Sequence, residues 1–421
     1  MSFQKKWDLA LLVFFLCAAL WGETFEFKEK KGAKQRTIST MNEQVILNGE
    51  LLYDTVILNR MTSVVKDVKG KEAQFEAVFT LAEERVVPEN AKNSSATSTF
   101  SWKEEYKSVF ARNNLGHLTI AKNFVMPTVR GAPVFLEKDM KVGDTWTALG
   151  MEAHDLGPTF GISELFIIPF EAKYKYLGER EWKGKKYKAI SISYMAEKDT
   201  SDYFENDPRN AMKKSTGSPM RPEKVLAKSD QVILWDSNLG QPVHGEETFN
   251  LIFKMNTGDI YQFVGKAEAE IIESEEMDKK QLQRDIEKSL HDAGINDARV
   301  KTDENGVTIS IENIQFEPDS AFLMNSEKQK LDKLGEILKK YPQRDIMIGG
   351  HSALAGGTEQ SRMQLSQERA GAVAGYLIKN KVRARERVMV RGFGSTVPIA
   401  DNKTEEGKRQ NRRVEITILE N

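Results

Sequence analysis

Two periodicities divide the chain. From residue 23 to about 272, apolar and polar positions alternate at a spacing near two in the segments 44–47, 73–80, 165–176, 187–194, 231–235, 248–255 and 260–267. Most of these are rich in Val, Ile, Phe and Tyr, the composition of strands with one buried face. Turn signals separate them: Lys69-Gly70-Lys71, Lys141-Val142-Gly143-Asp144, Trp182-Lys183-Gly184, Asp236 to Gly240 and Asn256-Thr257-Gly258-Asp259. Many short strands without a long helical pattern predict a β-rich domain over 23–272, an antiparallel sheet curved into a half-barrel. Two weakly patterned stretches, 88–98 and the proline-containing 199–223, read as loops.

The pattern then changes to a helical one. Leu282, Ile286 and Leu290 stand four apart in a charged stretch that ends at Gly294, predicting a short amphipathic helix with a glycine stop. A strand near Val300, the turn 303–306 and a strand over 307–311 follow, so 273–306 reads as an αβ connector packed on the last domain. Within 307–421, Ser326 and Gln329 suggest a capping box, with Leu331, Leu334, Ile337 and Leu338 on one apolar face. A second helix starts near Gln360 or Ser361 and turns Leu365, Ala370, Val373 and Leu377 inward. With strands at 345–349, 387–391 and 414–419, the order is that of a βαβαββ sandwich, and the whole chain reads as α+β multidomain.

An outer-membrane barrel is the competing reading of the N-terminal half. A lipid-facing strand needs an uncharged outer face along about ten residues. Here charges recur inside the strands, as in Glu171-Ala172-Lys173-Tyr174-Lys175-Tyr176, which favours a periplasmic domain. The N-terminus itself reads as a secretory signal peptide over 1–22: Lys5 and Lys6, then an apolar run from Leu9 to Trp21. That run is shorter than the ~20 residues that cross a bilayer, although an uncleaved anchor is the alternative. Cys17, the only cysteine, lies inside it. Cleavage after Gly22 leaves no thiol, whereas a lipoprotein reading would acylate Cys17; Phe14-Phe15-Leu16 argue against the latter, because a small residue is expected before the acylated cysteine.

Charge and composition narrow the function classes. The 421 residues carry 61 basic and 62 acidic side chains for a net charge of −1, without the basic surplus of a nucleic-acid binder. His117, His154, His244, His291 and His351 form no metal-spaced pair, so no metal or cofactor is expected. A Gly-x-Ser-x-Gly elbow is absent, as is a phosphate loop ending in Lys and Ser/Thr. The chain reads as a non-enzyme.

The last part carries ordered blocks: Asn313 to Ala321 (Asn-Ile-Gln-Phe-Glu-Pro-Asp-Ser-Ala), Gly350-His351-Ser352-Ala353, Leu365-Ser366-Gln367-Glu368-Arg369-Ala370, Gly392-Phe393-Gly394, Pro398-Ile399-Ala400, Asn402 to Gly407 and Asn411-Arg412-Arg413-Val414-Glu415. Over about 300–421 the chain resembles the OmpA-like C-terminal domain, which associates with peptidoglycan in two-membrane bacteria. That resemblance implies a site for the diamino-acid end of a stem peptide. An Asp would accept from the ammonium and an Arg would clamp the carboxylate bidentately.

On this chain the clamp falls on Arg369 and a second family arginine on Arg412. Ser352 stands for the usual threonine, Ala353 for the aspartate, and Arg362 for an asparagine three residues before Leu-Ser. The loop 354–359 is one residue longer than the family's, and Glu359 or Glu368 would have to supply the lost acid. The expected function is therefore a cell-envelope protein, periplasmic and associated with the cell wall or outer membrane, holding peptidoglycan in an altered pocket. Its β domain would meet envelope proteins or lipid. A scaffold that has lost peptidoglycan binding, or a carrier of a hydrophobic ligand in the β domain, are the alternatives.

Overall fold

A computed structural model describes residues 22–86, 100–157, 165–200, 220–272, 277–303, 305–312, 314, 316 and 320–420. Residues 1–21 of the expected signal segment, with Cys17, the loop 88–98 and most of 199–223 lie outside the described residues.

The alternating pattern of the N-terminal half becomes one antiparallel sheet. Its strands are β1 (Lys34–Leu47), β2 (Glu50–Lys69), β3 (Glu72–Val86), β4 (Phe100–Asn113), β5 (Leu118–Ile120), β6 (Val129–Arg130), β7 (Thr145–His154), β8 (Phe166–Trp182), β9 (Lys185–Asp199), β10 (Pro222–Asp236), β11 (Gln241–Met255) and β12 (Ile260–Ile272). Pairing runs β5-β4-β3-β2-β1-β12-β11-β10-β9-β8-β7-β6. The curved antiparallel sheet expected from the sequence is present and nearly closed, and among the described residues its unpaired edges are the short strands β5 and β6. Bonds from Phe135 N to Leu115 O and from Ser108 Oγ to Met126 O tie the intervening loop in place.

Alternation sets the two faces. On β8, Phe166, Ile168, Phe170, Tyr174 and Tyr176 are buried, while Glu171, Lys173 and Lys175 face outward. Inside, Trp146 stacks on Tyr174 at 5.0 Å and Phe135 meets Trp235 edge-on at 4.7 Å. Phe25 and Phe27, from the segment before β1, fill the same core. On β8, charges outside and aromatics inside invert the pattern of a lipid-facing barrel strand.

The C-terminal half is a mixed sheet with helices. It contains α1 (Lys279–Asp292), β13 (Ala298–Asp303), β14 (Gly306–Glu312), α2 (Asn325–Leu338), β15 (Ile346–Gly350), α3 (Glu359–Lys379), β16 (Val388–Gly392), α4 (Glu405–Asn411) and β17 (Arg413–Leu419). Strand order is β13-β14-β17-β15-β16, with β15 and β16 parallel. Leu282, Ile286 and Leu290 of α1 share one core with Leu331, Leu334, Val373, Leu377, Ile309 and Ile416, so the connector is built into this sheet. Asp278 caps α1 through Gln281 N, and Gly294 at φ +69° ends it.

Two local expectations need correction. The Ser326/Gln329 capping box does not form: α2 begins at Asn325, its N-cap is Met324, and no side chain caps it. The helix follows directly on the bridge between Phe316 and Leu323, so the N-cap falls at Met324, two residues before Ser326. For α3, Thr358 and Ser361 form the reciprocal cap instead, and Leu365 is only half-buried while Ala370, Val373 and Leu377 are buried.

The two halves meet through their edges and through charge. Strand β4 adds in parallel to β16, pairing Phe100 with Met389. Leu58, Ala82 and Met389 make a small shared core. Beside it Asp345 is fully buried, its Oδ2 accepting from Arg36 Nη2 at 2.6 Å and from Arg60 Nε at 2.7 Å. Arg387 Nη1 reaches Oδ1 at 3.2 Å. Burial lowers the Arg36 guanidinium to about 10, against the attraction of Asp345.

Candidate functional site

The candidate site lies where β15 and β16 run out against the start of α3. Two glycines allow the approach. A Cβ on Gly350 would stand 2.0 Å from Ser366 O, and one on Gly392 would stand 2.6 Å from Met363 O. The strand ends are then laced to the helix: Gly394 N donates to Ser366 Oγ at 2.9 Å, Gly392 N to Gln367 Oε1, and Ser352 N to Gly394 O at 2.8 Å. The turn after β15 is held from below, where Leu354 N donates to Asn402 Oδ1 at 2.9 Å and Asn402 is held by Asn411 Nδ2.

The loop after Ala353 has its own fastening. Arg362 donates to Gly356 O at 2.7 Å, Gly357 O at 3.0 Å, Ser395 Oγ at 3.1 Å and Glu359 Oε2 at 2.9 Å. Glu359 in turn accepts from Ser395 Oγ at 2.6 Å and from Ser395 N at 3.1 Å. Those two bonds, with Arg362, hold its carboxyl at about 2, far below the ordinary value.

Beneath the turn sits a buried charge group. His351 stacks on Phe393 at 4.8 Å and 4° and has Glu415 Oε2 at 3.5 Å from Nε2. Arg413 Nε meets Glu415 Oε1 at 2.9 Å. Burial raises the Glu415 carboxyl, but His351 and Arg413 outweigh it and hold it well below the carboxylate range. Burial also holds the His351 ring below its usual value, so Arg413, together with Lys301 Nζ at 3.2 Å from Oε1, supplies the positive charge facing Glu415.

A family model described as the OmpA family matches residues 315–412. That stretch is an OmpA-family domain. The chain is similar to the protein named "Probable lipoprotein YiaD" of Escherichia coli (strain K12), 42% identical over 106 residues, 25% of this chain and 48% of that protein. It is also similar to the peptidoglycan-binding protein ArfA of Mycobacterium tuberculosis, 37% identical over 105 residues, 25% of this chain and 32% of that protein. The matches thus span a half or less of these relatives. Among solved structures, an outer membrane protein from Borrelia burgdorferi B31 aligns at 34% identity, covering 29% of this chain and 96% of that one with a TM-score of 0.25.

Within the OmpA-family domain, the expected site residues take distinct roles. Ser352 and Ala353 lie together at the end of β15; Ala353 is buried, and the buried Ser352 Oγ has no partner among the described residues. Arg369 projects from α3 toward the turn before α2, with its guanidinium 5.0 Å from the Phe316 ring centroid and Nε donating to Ser320 O at 3.1 Å. Arg362 is committed to the loop. Arg412 is exposed at the C-cap of α4, whereas the neighbouring Arg413 is buried. Neither suggested acid takes the place of the missing one: Glu359 is held by Ser395 and Arg362, and Glu368 lies on the exposed side of α3 beside Gln364. The fastening residues Ser395, Asn402 and Asn411 were not singled out in the sequence, although Asn402 and Asn411 open two of its blocks.

Proposed function

We propose that this is a non-enzymatic cell-envelope protein whose OmpA-family domain associates with peptidoglycan through an altered pocket, while the β domain meets a second envelope partner. The observation that carries the reading is Arg369, steadied by Phe316 and Ser320 in the segment that matches the OmpA family and is similar to a protein named for peptidoglycan binding. Arg369 would clamp the stem-peptide carboxylate and Ser352 Oγ would donate beside it. With Ala353 in the acid's position the ligand ammonium lacks a partner, so affinity is low. Loss of one member of such a charge-assisted pair costs on the order of a hundredfold. The signal segment expected at 1–22 would place the protein in the periplasm.

Sedimentation of the purified protein with sacculi tests this. Sacculi of the native organism, and of a bacterium with diaminopimelate in its wall, should both carry protein into the pellet, and Arg369→Ala should remain in the supernatant. Absence of the wild-type protein from both pellets would leave the domain as a scaffold. Stacked aromatics fill the β-domain interior between β7 and β9, and the cavity of about 700 Å³ over β9–β12 is lined mainly by polar and charged groups such as Asp230, Gln231, Glu247 and Lys266, which does not favour a hydrophobic cargo.

A further inference from the structure

Between the outer face of β1–β4 and the edge of the C-terminal sheet runs a cleft of about 310 Å³ that the peptidoglycan reading does not use. Its β-domain wall presents Lys34, Arg36, Arg60, Thr62, Thr80 and Lys107. Arg36 is 3% and Arg60 6% exposed, which is exceptional for arginines. Both lean on the single carboxylate Asp345, which Arg387 also shares. Arg60 Nη2 is further used by Glu386 O. Arg36 Nη1 and Arg60 Nη1 are buried and have no hydrogen-bond partner among the described residues.

The charges do not cancel. Of the two carboxylates lining the cleft, Glu420 is held by Lys279 at 2.5 Å and Lys34 at 3.6 Å, and Glu105 is exposed on β4. Three guanidiniums meet at one buried carboxylate. A buried cation without a counter-charge is unfavourable, and a guanidinium with unused N–H groups suits an oxyanion, which accepts several bonds from a planar fork. Hydroxyls of Thr62 and Thr80 on the same wall supply neutral donors, and the volume suffices for a tetrahedral anion.

We propose that this cleft is an oxyanion site, of the phosphate class, whose occupant completes the charge balance between the two halves and stiffens their junction. The anion's oxygens accept from Arg36 Nη1 and Arg60 Nη1 at the base, after small rotations that turn these groups toward the cleft. Lys34 and Lys107 flank it nearer solvent. A free phosphate and a lipid-headgroup phosphate share this chemistry.

Calorimetric titration of the full chain with inorganic phosphate, at constant ionic strength set by chloride, tests the site. The expected result is one saturable site per chain and an unfolding midpoint that rises with phosphate but not with chloride. Lys34→Met combined with Lys107→Met should weaken phosphate about tenfold and leave the phosphate-free midpoint near that of the wild type. Arg36→Met should abolish the response; if that variant does not fold, the double lysine variant decides. Flotation with phosphatidylglycerol vesicles, competed by phosphate, would identify a headgroup as the source. Failure to float while free phosphate saturates identifies the soluble anion. Absence of saturable heat, or a phosphate response unchanged in the double lysine variant, overturns the assignment.

Discussion

At the scale of single residues, the chemistry of the proposed pocket turns on what stands at 353. A carboxylate there would meet the ligand ammonium and lie beside Ser352, so Ala353→Asp should tighten a soluble diaminopimelate muropeptide by about ten- to a hundredfold. Arg369→Ala should remove detectable heat in the same titration. If Ala353→Asp gives no gain, the loop fastened by Arg362 and Glu359 has carried residue 353 out of reach. A second residue-scale expectation lies in the β domain. Burial, then repulsion from Glu83, raises the Glu43 carboxyl to about 7. Its folded value lies above its unfolded one, so the favourable contribution is complete below about pH 4.5 and is lost as pH rises through 7. Glu43→Gln should therefore stabilise the protein at pH 8 by on the order of 2 kcal/mol and do little at pH 4.5, as denaturant unfolding at the two pH values would show.

Elements decide how closely these residues can gather. Strand β15 reaches the side of α3 only because Gly350 presents no Cβ to Ser366 O. Gly350→Ala must push the helix off the strand end, at a cost of about 1–3 kcal/mol. Since Arg369 rides on the same helix, muropeptide affinity should fall with stability, and a melting curve measured beside the titration would separate the two. The helices α1, α2 and α3 were legible because their apolar residues recur every three or four positions and end up in one core. Several strands were less legible. β2 and β7 were not singled out, although Asn48-Gly49, both at positive φ, turn the chain directly from β1 into β2. Strand β2 escaped notice because its two faces are both partly covered: the inner by the β-domain core, the outer by the C-terminal half through Leu58 and Arg60. Such a strand loses the polar face on which alternation depends. The short helix α4, seven residues in a charged stretch, has too few apolar positions to show a period.

For the whole molecule, the charge cluster at Asp345 couples the halves. Asp345→Ala would leave Arg36 and Arg60 buried without a carboxylate, costing about 3–5 kcal/mol. Calorimetry should show a single transition for the wild type and a resolved or broadened pair for the variant, with the β domain and the OmpA-family domain melting apart. A single unshifted transition would mean that the β4–β16 pairing suffices to hold them together. The amino-acid sequence by itself determined the β-rich and mixed halves and the OmpA-family segment, and it proposed the residues of a site there, because these follow from local periodicity and from ordered blocks within about a hundred residues. Only the tertiary structure decided that Arg362 fastens the loop after Ala353, that Arg413 is buried while Arg412 is exposed, and that Arg36 and Arg60 serve a carboxylate some three hundred residues away. An arginine's partner is set by which surfaces meet when two sheets pack. That contact leaves no period in the chain, and its charge reads the same whether it is solvated or buried.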